Sequence, residues 1–96
     1  VRLRLRPYVQ PEIRKEARWY EERQSGLGRS FVAAVDEAFG RVASNPHLYQ
    51  EVHLDIRRAP LERFPFGVYY VLIEQEVQVL AVTHDARHPS VWKARR

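Results

Sequence analysis

The stretch HDARHPSVWKARR, from His84 to Arg96, gathers two histidines, an aspartate, three arginines, a lysine and a tryptophan into thirteen positions. Groups of these types bind metals, move protons or grip phosphate. For a metal, His84, Asp85 and His88 offer nitrogen and oxygen ligands, and His47 and His53 precede them. The spacing argues against it, because a strand ending at His84 turns Asp85 to the opposite face and no HExxH-like pair on a helix is present. No metal and no cofactor is therefore expected. The serines at 25, 30, 44 and 90 lack the setting of a hydrolase nucleophile. RNA cleavage fits better, since it needs a group to activate a 2′-hydroxyl, cations around the charged transition state and an acid for the leaving oxygen. Arg57, Arg58 and Arg63 lie on or beside one expected strand, and His84 and Arg87 end another, so the five are candidates to converge on one sheet surface. Alternating arginines are equally what the solvated face of a strand looks like, with His84 a strand-end residue satisfied by backbone. Trp92 stands among Arg87, His88, Lys93, Arg95 and Arg96, where it either stacks on a base or folds back as a plug on the core; the plug is the favoured reading.

The basic residues are unusual in kind. Lys15 and Lys93 are the only lysines among sixteen basic side chains, and the net charge is +4. Arginine forks grip carboxylate and phosphate bidentately, so this surface suits an acidic protein partner or a nucleic acid. With 45% hydrophobic residues and two tryptophans the chain is expected to form one globular domain over residues 1–96, with a single small core. Nothing approaches the ~20 consecutive apolar residues of a membrane span. VRLRLRPYV has no apolar core of a secretory leader, and the absence of cysteine fits a reducing cytoplasm.

The elements that must position these groups follow from periodicity. Val1 to Tyr8 alternates Val1, Leu3 and Leu5 with Arg2, Arg4 and Arg6, the period of a half-buried strand, and Pro7 confines its end to an edge or exit. From Pro11 the period becomes helical through Ile13, Ala17 and Tyr20, and Gly26 is a natural stop. A second helix runs from about Leu27 through Phe31, Val35, Ala38 and Val42 to SNP at Ser44 to Pro46, with Gly40 permitting close helix packing. His47 to Asp55 reads as a loop. Ile56 to Phe64, Phe66 to Glu74 and Val77 to His84 read as strands, the last two joined as a hairpin through EQE at Glu74 to Glu76. Phe31, Phe39, Tyr69 and Trp19 are expected in packing between elements. The order predicts an α+β fold: an N-terminal strand, an antiparallel helical hairpin, then three antiparallel strands, with the helices on one face of an antiparallel sheet.

Four segments, in this order and spacing, carry a family resemblance: EARWYEERQSGLGRSFVAAVDEAF at Glu16 to Phe39, SNPHLY at Ser44 to Tyr49, IRRAPLERFPFGVYYVL at Ile56 to Leu72, and VLAVTHDARHPSVWKAR at Val79 to Arg95. The chain resembles the RelE/ParE superfamily of toxins from type II toxin–antitoxin systems. That resemblance implies a cytoplasmic toxin whose overproduction arrests growth, neutralised in a hetero-oligomer by a cognate, often acidic antitoxin. RelE-like members cleave mRNA on the ribosome, and ParE-like members inhibit DNA gyrase. For a RelE-like nuclease the matching positions are Arg58 and Arg87, with His84 or His88 left to supply proton transfer, His84 first. A catalytic arginine of that branch would fall at about Gly67, and its C-terminal tyrosine near Trp92 or Lys93, which no hydroxyl occupies. The regular hairpin around WYEERQSGLG looks more ParE-like. The resemblance thus favours a non-enzymatic gyrase inhibitor whose contact surface, toward target or antitoxin, is Arg57, Arg58, Arg63, Arg87, Trp92, Lys93 and Arg95. A ribosome-dependent endoribonuclease and a non-toxic interaction module are the alternatives.

Overall fold

The computed structural model describes residues 1–96. The elements in chain order are β1 (Arg2–Leu5), α1 (Val9–Arg23), α2 (Leu27–Ser44), β2 (Glu51–His53), β3 (Ile56–Pro60), β4 (Phe66–Ile73), β5 (Glu76–His84) and α3 (Ser90–Lys93). The expected α+β order is present, with two additions. Three residues of the expected loop form β2 on the far side of β3, and a single helical turn, α3, follows the last strand. The five strands lie in the order β1-β5-β4-β3-β2. The sheet is mixed rather than wholly antiparallel, because β1 runs parallel to β5 while every other pair is antiparallel. As an edge strand β1 turns Leu3 and Leu5 toward the core, and Arg2 and Arg4 lie 3.7 and 3.8 Å from Glu76.

Local chemistry sets the boundaries. α1 begins at Val9, so Pro11 falls in its first turn, where a missing N–H costs nothing. β3 stops at Pro60 instead of running to Phe64, since proline ends the ladder and Arg63 turns the chain with φ 68°. Glu74 and Gln75 both have positive φ, 50° and 65°, the backbone of a two-residue hairpin turn built without Asn-Gly.

The sheet is covered on both faces. On the helix side Phe31, Val35, Ala38 and Val42 of α2 and Val9 and Ile13 of α1 pack on Phe66, Val68, Tyr70, Val77, Val79 and Val82. Tyr20, Phe31, Phe64 and Phe66 interlock with centroid separations between 4.8 and 6.2 Å, and the buried Tyr70 hydroxyl donates to the Pro46 carbonyl at 2.7 Å. On the opposite face Ile56, Tyr69, Val71, Leu80 and Ala81 pack under Trp92. Both Leu80 and Ala81 reach that face because the register slips there: Tyr69 pairs with Ala81 and Tyr70 with Val79.

The hairpin depends on Gly28. A Cβ there would lie 2.5 Å from the Ala17 carbonyl oxygen and 3.0 Å from the Glu21 Cβ, so only glycine lets α2 approach α1 this closely. Glu21 completes the join. Its carboxylate accepts the N–H groups of Gly26 and Gly28 at 3.0 to 3.1 Å and serves as the cap that no side chain at the start of α2 provides. Those two backbone donors hold its pKa below the ordinary value. Gly40, expected at the close approach, instead faces open space. Trp19, expected in packing, is 48% exposed, with the Arg23 guanidinium 3.8 Å from its ring centroid.

Candidate functional site

The sheet divides the candidate residues between its two faces. Arg58 pairs across the ladder with Tyr69, whose side chain belongs to the face away from the hairpin. His84 pairs with Phe66, which belongs to the helix side. Arg58 and His84 therefore do not share a surface, contrary to the convergence expected from sequence.

Arg58 is held on three sides. Its Nε donates to the Tyr69 hydroxyl at 3.2 Å and its Nη2 to Asp85 Oδ1 at 2.6 Å. Its stem crosses Gly67, where a Cβ would sit 2.6 Å from Nε; the position without a side chain is filled by Arg58 itself. Burial pulls the guanidinium pKa down, but Asp85 and Tyr69 outweigh it and hold the group above its ordinary value. Tyr69 is in turn covered by Trp92, with ring centroids 4.4 Å apart and planes at 11°. Trp92 is 6% exposed, a plug over this face, and Arg58 and Asp85 lie at the plug's rim.

On the helix side His84 lines an open cleft of about 500 Å³ with Lys15, Glu16, Arg18, Trp19 and Arg87. Its Nδ1 accepts the Ala86 N–H at 2.9 Å, so the neutral ring carries its proton on Nε2. Arg87 lies 3.5 Å from Glu16 and is half exposed. The cleft sets three cations, Lys15, Arg18 and Arg87, against two carboxylates, Glu16 and Glu22, beside the half-exposed Trp19 ring. Sequence reading missed Lys15, Arg18 and Trp19 as cleft residues. Their 3- and 4-residue spacing on one helix was the available signal.

The histidines do not gather. Asp85 turns to Arg58, His88 Nδ1 lies 3.1 Å from Ser90 Oγ and accepts the Ser90 N–H, and no three potential metal ligands come together. The other basic candidates differ in freedom. Arg57 donates to the Tyr49 carbonyl and lies 3.8 Å from Glu51. Arg63 is exposed beside α2. Lys93 is exposed, its ammonium 5.8 Å from the Trp92 ring centroid. Arg95 is committed internally: it forks onto both Glu12 oxygens at 2.8 and 2.6 Å, reaches the Leu80 carbonyl at 3.2 Å and covers the Tyr8 ring at 4.2 Å. Arg96 forks onto Asp55, both distances 2.6 Å, which lowers the Asp55 pKa.

The same fold occurs among known proteins. The family model described as the ParE toxin of type II toxin–antitoxin system, parDE, matches residues 3–89. Among solved structures, a chain of the "Chromosomal ParDE TA system from P. aeruginosa" is similar in fold, with a TM-score of 0.66 and 16% sequence identity over 88% of this chain and 95% of that one. No curated protein matches the chain. No helix is long and apolar enough to cross a membrane.

Proposed function

The chain belongs to the ParE toxin family of type II toxin–antitoxin systems, and on that premise we propose that it acts by binding, as a cytoplasmic inhibitor of DNA gyrase restrained by a cognate antitoxin. One observation carries the choice of binding over cleavage. The groups a RelE-like nuclease would need are divided by the sheet, with Arg58 pinned to Asp85 on one face and His84 in a cleft on the other. Arg58 also occupies the space over Gly67, and Trp92 is buried against Tyr69. In this reading Arg87, Lys93 and Arg63 make outward contacts, while Arg57, Arg58, Arg95 and Trp92 shape and hold the surface that presents them. An acidic antitoxin segment suits the arginine excess, since a fork that grips a carboxylate within the chain grips one between chains equally well. The test is a supercoiling assay with purified gyrase. Relaxed plasmid should accumulate as toxin is added and supercoiling should return with antitoxin; undiminished supercoiling at toxin excess removes the reading.

A second reading keeps a specific observation. His84 shares its cleft with the cations Lys15, Arg18 and Arg87 and the carboxylates Glu16 and Glu22, which sets a proton-transfer group beside cations, the combination that ribosome-dependent mRNA cleavage uses. Translating ribosomes programmed with a defined mRNA would then show A-site cleavage that His84→Ala abolishes, whereas intact mRNA with growth-arresting protein rules it out.

A further inference from the structure

The outward face of α2 carries a ridge that the monomer's fold does not use. Arg29, Val32, Ala33, Asp36 and Gly40 are all exposed. The steps from Arg29 to Ala33, Asp36 and Gly40 are four, three and four residues, which keeps them in one line along the helix. Val32 is one of the few large apolar side chains left in solvent, at 37% exposure. Gly40 has nothing within 4 Å of where a Cβ would lie, so a residue that weakens a helix interior has no reason within the chain. Arg29 and Asp36 form no ion pair, whereas the neighbouring Glu37 is tied to Arg41 at 2.7 Å.

The charges on this face are sorted along the helix. Arg29 lies with Arg14 and Arg18 of α1 around a dimple floored by Ala17, Gly28 and Val32; the one carboxylate at its edge, Glu21, is occupied by the Gly26 and Gly28 N–H groups, so this half of the face stays net basic. Arginines four apart on a helix repel. The opposite half of the ridge carries Asp36, with Glu37 beside it. Such a face is complementary to itself. A two-fold axis through the midpoint of Val32 and Ala33 has Arg29 and Asp36 equally distant on either side, about 5 Å along the helix axis. Antiparallel α2 helices around that axis set Arg29 against the partner's Asp36 twice, join the two Val32/Ala33 centres, and seat the partner's α1–α2 turn over Gly40, where the missing side chain gives it room.

We propose that this face is an isologous dimer contact, and that its occupant is a second copy of this chain. The proposal does not rest on which target the toxin binds, and Arg63, which shares a groove with Ala33, lies at the rim of this contact. One helix pair covers less than the roughly 800 Å² per partner of a standard interface, so the dimer dissociates on dilution.

Sedimentation equilibrium from micromolar to millimolar concentration tests it with two charge reversals. Wild-type protein should show a monomer–dimer equilibrium. Arg29→Asp and Asp36→Arg each place like charges opposite one another at both symmetric positions, and each should weaken the dimer about tenfold or more. An equimolar mixture of the two variants recreates both opposite-charge pairs and should dimerise like wild type. Because both positions are exposed, circular dichroism of each variant should match wild type. A wild-type chain that stays monomeric throughout overturns the proposal, even if another protein binds this face. So do single reversals that dimerise as tightly as wild type, and so does a mixture that fails to recover.

Discussion

Trp92 spreads one ring over Tyr69 and is almost wholly shielded from water, so removing it costs the transfer of a large aromatic group plus the cavity left behind. Trp92→Ala should lower the unfolding free energy by about 3–4 kcal/mol, and Trp92→Phe by a smaller amount because stacking survives. Urea denaturation followed by far-ultraviolet circular dichroism measures both. Emission adds a check, since the Trp92→Phe protein reports only the half-exposed Trp19 and should emit to the red of wild type. A loss within 0.5 kcal/mol in Trp92→Ala, the ordinary range of a surface substitution, contradicts the plug. Tyr70 sets a pH limit in the same way. Burial pushes its hydroxyl up to about 12, whereas an unfolded tyrosine ionises near 10. Between those values the unfolded state releases a proton that the folded state keeps. This contribution is therefore complete below pH ~10 and is lost as pH rises toward 12. The urea midpoint should fall above pH ~10, and Tyr70→Phe, although weaker at neutral pH because the Pro46 carbonyl loses its donor, should show a shallower alkaline decline.

Two glycines of α2 separate packing from propensity at the level of the element. Gly28→Ala drives a methyl group to 2.5 Å from the Ala17 carbonyl oxygen, a backbone atom that cannot step aside, and should cost about 2–3 kcal/mol by forcing the hairpin apart. Gly40→Ala meets nothing and should stabilise the dilute protein by about 1 kcal/mol through helix propensity. Thermal melts of the pair at low concentration should move in opposite directions; equal shifts would mean the helices are not locked at Gly28. The same two positions show how far the elements were legible in sequence. Both helices follow from an apolar period of 3.6, β1 from a period of 2, and the later strands from runs rich in β-branched and aromatic residues between turns. Which glycine meets the neighbouring helix does not, because it depends on how the helices rotate about each other. β2 was read as loop since three residues are too few for a period, and its pairing comes from the neighbouring Ile56 and Arg57. The parallel β1 was hidden for a related reason: alternation reports a half-buried face but carries no direction.

The candidate site was legible as a set of residues but not as a geometry, because face assignment across a register slip at Tyr69 and Tyr70 cannot be counted from spacing. That slip, with the turn after His84, sends Asp85 to Arg58 and leaves His84 with α1. It also creates the apolar face that the last turn of the chain must cover. The tail is fixed at successive points: Trp92 on Tyr69, the Arg95 fork on Glu12 with the Arg6 guanidinium on its carbonyl at 3.2 Å, and the Arg96 fork on Asp55. These contacts tie the tail to the start of α1, the middle of β5 and the β2–β3 turn. Residues 90–96 lie outside the stretch matched by the ParE family model, and their Trp92 closes that face. A protein ended at Pro89 should uncover Ile56, Tyr69, Val71, Leu80 and Ala81 together. The lost burial of Trp92 alone is of the order of 4 kcal/mol, a large fraction of the 5–15 kcal/mol that holds a domain folded. For a domain of this size that corresponds to a melting temperature lower by about 15 °C or more, accompanied by new binding of an apolar dye. Melting within a few degrees of the full chain, without dye binding, would mean that the sheet tolerates an open face and that the tail is not its fastening.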